Sequence, residues 1–324
     1  MTKQILVTLP MPPEQRALLE QQMPGAVYTY CPRNEATDAQ IADANIILGN
    51  LPPERLAGAK KLEWLQLNSS GADAYAKPGV LPAGARLTNA TGAYGLAISE
   101  QLLGYTFFLK KKFGRYYKNQ LAGVWKDEGM VTAIAGSTAL VVGLGSIGGD
   151  YAAKMAALGS RVYGIRRNKT ACPPYLAAVG SFEQLDEWLP QADIVALALP
   201  NTPQTVRLFD APRLAKMKPG SILLNVGRGS CIDQEALANA LRTGPLMAAA
   251  LDVTEPEPLP AGHPLWGLEN LFLTPHVAGD FHLQETLDWI TALFIENLGR
   301  YARGEALQNP VDPATGYRAF LQTP

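Results

Sequence analysis

Reducing a carbonyl that sits beside a carboxylate requires three things: a cation at the substrate oxygens, a proton donor for the oxygen that gains charge, and a group that keeps the donor protonated. The chain offers one residue of each kind shortly after a short apolar run. Arg228 follows SILLNV in NVGRGS, where flanking glycines leave room for a ligand to approach the backbone. His276 follows LFLTP in TPHVAG; an imidazole titrates near neutrality, so it can give or take a proton. Glu257 lies in the proline-stiffened LDVTEPEPLP, and a carboxylate bonded to His276 would raise the imidazole pKa and fix its ring. Asp252 opens the same segment. Singly, each has a plainer reading: an exposed arginine in a surface ion pair, or, for Glu257 and Glu255, a solvated acidic loop. Position sets them apart, because open parallel sheets place ligands beyond the carboxyl ends of their strands. The other two histidines read differently, His263 in GHPLW as turn packing and His282 as the start of the last helix.

Upstream, STALVVGLGSIGGDYAAKMAALGSRVYGIRRN carries Gly143, Gly145 and Gly148 directly after an apolar strand and at the head of an alanine-rich helix. The turn needs Gly143, a pyrophosphate can approach a backbone without Cβ at Gly145, and Gly148 lets helix and sheet touch. The helix N-terminus then faces the phosphates. At the tip of the following strand, where an acidic residue would take the ribose hydroxyls of NAD, stand Arg166 and Arg167. Two guanidinium groups suit a 2′-phosphate, so the expected cofactor is NADP(H), with NAD(H) as the alternative.

These residues need a scaffold. Strand-length apolar runs occur at 5–9, 46–48, 62–67 and 86–87, with helical spacing between them, as at 14–22. A long helix is expected over 96–117. A second β-α-β series follows, with strands at 138–142, 161–165, 194–199, 221–226, 247–251 and 271–274. A last helix over 283–303 lines up Leu287, Ile290, Phe294, Leu298 and Tyr301 on one face. At 324 residues two domains, with a cleft between them, are the natural division. Lys and Arg (28) nearly balance Asp and Glu (29), which argues against a nucleic-acid or polybasic membrane binder. Cys31, Cys172 and Cys231 show neither metal-ligand nor disulfide spacing, so no metal is expected. The opening MTKQILVTLPMPPEQR has an apolar run too short for a signal peptide or a membrane span, so a cytoplasmic protein is expected.

Taken together, the chain resembles the D-isomer-specific 2-hydroxyacid dehydrogenase family from about Leu62 to Gly316, with the first sixty residues matching only in strand rhythm. The resemblance is carried in order by NSSGAD (68–73), LTNATGAYGLAISEQLLG (87–104), GLGSIG (143–148), LPNTPQT (199–205), NVGRGS (225–230), LDVTEPEP (251–258) and TPHVAG (274–279). It implies an α/β protein of two doubly wound domains: a flavodoxin-like substrate domain, 1–99 completed by 284–324, and a Rossmann NAD(P)-binding domain, 100–283. It further implies that Arg228, Glu257 and His276 are the catalytic set and that Asp252 holds the nicotinamide carboxamide. Ser70, Gly71 and Ala72 would offer N–H groups to the substrate carboxylate. Ser146, Ile147, Leu199, Pro200, Thr205, Val226 and Gly227 would lie along the cofactor. The implied activity is reduction of a small 2-oxo acid to a D-2-hydroxy acid, as in glyoxylate/hydroxypyruvate reductases, in a homodimer to which the helix over 96–117 contributes. Two alternatives share the fold: a dinucleotide-sensing, corepressor-like dimer, and a formate- or phosphite-type dehydrogenase. The departure from the family's commonest pattern is Arg166 in place of an acidic residue, which bears on the cofactor and not on the reaction.

Overall fold

Runs of Val, Ile, Leu and Ala four or five residues long, without alternation, suit strands covered on both faces, and parallel sheets built from such runs dominate this chain. A computed structural model describes residues 2–167, 172–313 and 316–318. In chain order the first elements are β1 Gln4–Val7, α1 Pro13–Gln22, β2 Val27–Tyr30, α2 Asp38–Asp43, β3 Ile46–Leu48, β4 Trp64–Gln66, β5 Arg86–Thr88, α3 Gly95–Lys110 and α4 Phe113–Leu121. There follow β6 Thr138–Val142, α5 Ser146–Ala157, β7 Arg161–Ile165, β8 Ala178–Gly180, α6 Leu185–Trp188, β9 Ile194–Leu197, α7 Ala211–Lys216 and β10 Ile222–Asn225. The chain continues with α8 Gln234–Thr243, β11 Ala248–Leu251, β12 Leu271–Leu273, α9 Gln284–Ala302 and a small antiparallel pair, β13 Val311–Asp312 and β14 Tyr317–Arg318. Two compact units result, Met1–Tyr94 with Asp280–Pro324, and Gly95–Gly279; the expected divisions were 99/100 and 283/284.

In the first unit five parallel strands lie in the order β2-β1-β3-β4-β5, the flavodoxin-like arrangement. The C-terminal helix α9 buries Ile290, Phe294 and Leu298 completely, each worth about 1.5–3 kcal/mol of transfer from water. Its buried Asn297 donates to Gln66 Oε1 at 2.7 Å, which ties α9 to β4. In the second unit seven parallel strands run β12-β11-β10-β9-β6-β7-β8. The order reverses between β6 and β9, and such a switch point opens a crevice at the carboxyl ends of the strands.

Two features depart from expectation. The helix expected over 96–117 is two helices, because Lys112 adopts a left-handed backbone (φ 58°) and caps α4 while its Nζ donates to Glu128 O. No proline marks this break. The strands β2 and β8 were not expected; both are half-exposed sheet edges, β2 with Thr29 interrupting its apolar residues and β8 only three residues long. Among the described residues no helix is long and apolar enough to cross a membrane.

Candidate active site

β6 delivers the chain into its turn at Gly143, whose φ of +106° is open to glycine. The Gly143 and Leu144 N–H groups donate to Ile165 O (2.9 and 3.2 Å), so the turn is bolted to the end of β7 one residue before Arg166. A Cβ on Gly143 would stand 2.4 Å from Ala198 O, and one on Gly148 would stand 2.0 Å from Gly143 O. The glycines therefore let the β6 turn, the β9 end and α5 close on one another. Helix α5 starts at Ser146 after Gly145, with no side-chain cap and no acid in its first turn. The N–H groups of Ser146, Ile147 and Gly148 begin a helix and suit an anion. Half-buried Arg166 and exposed Arg167 follow β7, with Arg166 N–H bonded to Gly180 O at 3.0 Å. A cationic strand tip beside an uncapped helix start fits a dinucleotide phosphate group. In the loop after β9, Leu199 and Thr205 are buried, and Thr205 Oγ1 is spent on Pro200 O (2.7 Å) and Thr202 N (2.8 Å), so it shapes the loop from within.

The ends of β10, β11 and β12 carry the polar set. Asp252 N–H donates to Asn225 O (2.9 Å) and His276 N–H to Asp252 O (2.8 Å), so three neighbouring strands hand over their loops in sequence. Buried Asn225 closes the first loop, accepting from Gly227 N–H (3.0 Å) and donating to Arg228 O (2.9 Å), with Val226 buried beside it. The glycines around Arg228 do not clear space for a ligand. A Cβ on Gly227 would meet Leu199 O at 2.5 Å and one on Gly229 would meet Thr254 O at 2.1 Å, so protein backbone fills that room.

Glu257 Oε1 accepts from Thr254 N–H at 3.0 Å, and Oε2 stands 2.7 Å from His276 Nδ1. The hydrogen bond to Glu257 raises the His276 pKa above its ordinary value; burial and the Arg228 charge oppose it, and the Glu257 and Asp252 charges add to it. Burial alone would raise Glu257, but the bonds from His276 and Thr254, with the His276 and Arg228 charges, outweigh burial and hold it low. The pair thus favours imidazolium and carboxylate, leaving Nε2 as the nitrogen able to pass a proton outward. His276 sits in the left-handed region (φ 55°), a conformation that costs about 1–2 kcal/mol for a residue with Cβ. Bonds from its N–H to Asp252 O and Thr274 O, at 2.8 and 3.0 Å, hold it there. The carboxylate of Asp252, 3% exposed, is taken up by Thr274 Oγ1 and the N–H groups of Val277 and Ala278. His263 accepts Leu265 N–H within its turn, and His282 precedes Leu283, the N-cap of α9.

In the first unit, Ser70, Gly71 and Ala72 follow β4 in a loop anchored by its carbonyls. Ser69 O accepts Ala90 N–H (2.9 Å), Ser70 O accepts Asn89 Nδ2 (2.7 Å) and Gly71 O accepts Ser69 Oγ (2.7 Å). In a planar trans peptide the next N–H points opposite its carbonyl, so these anchors fix the directions of the Ser70, Gly71 and Ala72 N–H groups. Sequence reasoning passed over Tyr105, whose phenol reaches Thr274 Oγ1 at 2.5 Å from the middle of α3. Nothing in its helical neighbourhood signals that contact; Thr274, in TPHVAG, was within reach of the motif.

Comparison with known proteins shows what the whole chain is similar to. The family model described as "D-isomer specific 2-hydroxyacid dehydrogenase, NAD binding domain" matches residues 103–278. A glyoxylate/hydroxypyruvate reductase A of Serratia proteamaculans is 31% identical over 82% of this chain and 85% of its own. Among solved structures, a D-isomer specific 2-hydroxyacid dehydrogenase family protein from Aeromonas salmonicida superposes with a TM-score of 0.84 at 32% identity, covering 97% of this chain and 100% of that one. An NADPH-dependent glyoxylate/hydroxypyruvate reductase from Sinorhizobium meliloti, solved with NADP and sulfate, gives 0.81 at 25% identity over 98% of this chain and 100% of that one. With more than half its length matched by the family model and 97% of it covered by a solved member at 32% identity, the chain belongs to the D-isomer specific 2-hydroxyacid dehydrogenase family of NAD(P)-dependent oxidoreductases.

Proposed function

We propose that this enzyme reduces small 2-oxo acids to D-2-hydroxy acids and prefers NADPH to NADH. The observation that carries the reading is the 2.7 Å contact between His276 Nδ1 and Glu257 Oε2, with the Arg228 charge acting on both partners. A nicotinamide cofactor held by the second unit supplies the hydride. The remaining tasks fall to side chains. Arg228 holds the substrate oxygens and stabilises charge as it builds on the carbonyl oxygen. His276, kept cationic by Glu257, gives its Nε2 proton to that oxygen, and in the oxidative direction takes it back. Ser70, Gly71 and Ala72 are assigned to the substrate carboxylate, which makes the first unit the substrate domain. Glyoxylate and hydroxypyruvate are the first candidates, on the strength of the relatives named above. A spectrophotometric scan of NADPH and NADH against glyoxylate, hydroxypyruvate, pyruvate and bulkier 2-oxo acids tests the reading; no turnover with any of them sinks it.

The NADPH preference rests on Arg166 and Arg167 beside the glycine turn. A hydrogen bond to a charged group is worth about 1.5–3 kcal/mol, so the Arg166→Ala/Arg167→Ala double variant is expected to raise KM for NADPH by roughly 10- to 100-fold. KM for NADH should change little. An equal rise for both cofactors would remove the 2′-phosphate from the argument.

The reading includes a homodimer. Helix α4 buries none of its residues, and Tyr117, Leu121, Trp125 and Met130 stand at 59, 70, 105 and 92% exposure, an apolar surface that a second copy would cover. Sedimentation equilibrium should give twice the 34.8 kDa chain mass, and a monomer at micromolar concentration would contradict it. A cytoplasmic location is part of the same reading, supported by free thiols at Cys31, Cys172 and Cys231.

A further inference from the structure

We propose that Tyr105 on α3 and Thr274 after β12 are positioning residues for His276, acting through the buried carboxylate of Asp252. The direction of each proton in this chain of groups follows from chemistry. Thr274 Oγ1 donates to Asp252 Oδ1 at 2.5 Å, so the threonine spends its single hydroxyl hydrogen there. Its oxygen must then accept from Tyr105, whose phenol stands 2.5 Å away. The same phenol is 3.5 Å from Asp252 Oδ1. Burial pushes the Tyr105 pKa up to about 12, so the phenol remains a donor at any pH at which the enzyme would work. The ring is 2% exposed and meets Phe272 edge-on at 5.8 Å, which fixes where the hydroxyl oxygen sits.

What this relay holds is the backbone on both sides of the histidine. Asp252 Oδ1 accepts Val277 N–H and Oδ2 accepts Ala278 N–H, each at 3.0 Å, while Asp252 O accepts His276 N–H at 2.8 Å. One residue therefore fixes three successive N–H groups, and with them the left-handed turn that aims the imidazole at Glu257. If the carboxylate rotates, two of those three bonds go. Hydrogen bonds in a buried chain polarise one another, so the far phenol strengthens the threonine's grip on Asp252. The charged groups that act on His276 are Glu257 and Asp252, from the segment after β11, and Arg228, from the segment after β10; Tyr105 reaches it through Asp252 and through Thr274, whose carbonyl also accepts the His276 N–H.

This inference deepens the assignment of His276 as the proton donor and rests on it, but its test does not. With three histidines in the chain, the His276 imidazole can be titrated by NMR in the intact protein. In Tyr105→Phe and Thr274→Val the His276 midpoint is expected to fall toward the ordinary histidine value, because a loosened loop weakens the bond to Glu257. In the same variants kcat should drop about five- to tenfold, the scale of one lost buried hydrogen bond expressed in the chemical step. KM for the 2-oxo acid should stay as in the parent, and Thr274→Ser, which keeps the hydroxyl, should restore both midpoint and kcat. An unmoved His276 midpoint in both variants overturns the proposal, even if thermal stability falls, since packing alone would then account for these residues. Full turnover in His276→Ala would instead defeat the assigned chemistry while leaving the titration result standing.

Discussion

His276→Ala is expected to lower kcat for 2-oxo acid reduction by about 10²- to 10⁴-fold, the usual worth of a positioned general acid, with NADPH affinity unchanged. The charge on the imidazole sets this expectation. Bonded to Glu257, His276 has its pKa raised, so it is protonated below that raised value and neutral above it. Reduction consumes the proton, and the rate should therefore hold on the acid side and fall as pH rises through the His276 pKa. Oxidation of the hydroxy acid needs the neutral ring and should rise over the same interval. Glu257→Gln removes the carboxylate that raises the pKa, so the falling limb of the reductive profile should shift to lower pH. Stopped-flow or steady-state rates across that range read all of this. Turnover within tenfold of the parent for His276→Ala, or a limb unmoved by Glu257→Gln, would take the proton donor away from this pair.

Much of this site was legible in the sequence because parallel α/β architecture turns linear order into spatial order. A residue just past an apolar run lies at the carboxyl edge of the sheet, and β10, β11 and β12 are adjacent, so Arg228, Asp252 and His276 had to be neighbours once the strands paired in sequence. The Gly143 turn was readable for the same reason. What escaped was set by contacts across long intervals or by geometry with no compositional mark. Lys112 breaks a helix without proline, and the half-exposed edges are weakly marked, β2 by a threonine among its apolar residues and β8 by a length of three. Gly227 and Gly229 were read as making way for a ligand, yet they make way for the backbones of Leu199 and Thr254, which only the fold brings near. Tyr105 and Thr274 are separated by 169 positions, and no local pattern reports their hydrogen bond.

Arg228 should show the other large effect, and its signature differs from that of His276. In the proposed mechanism, truncation to alanine removes the cation assigned to the substrate oxygens and the developing alkoxide, and losing one such donor costs about 10²- to 10³-fold. Here the loss should appear in kcat/KM and not in kcat alone, since the same guanidinium binds the ground state. Arg228→Lys keeps the charge but loses the planar fork, so it should recover part of the rate and little of the carboxylate affinity. The electrostatics supply an independent check. Arg228 depresses the His276 pKa, so its removal should move the imidazole midpoint up and carry the reductive pH limb to higher pH, even as the rate collapses. Collapse of the NVGRGS loop would do the opposite if it disturbed the Glu257 contact, because the bond that raises the histidine would weaken. A slow variant whose limb has moved upward therefore identifies a lost cation in an intact site, and a limb that moves down or stays fixed would show that Arg228 acts on this site in some other way.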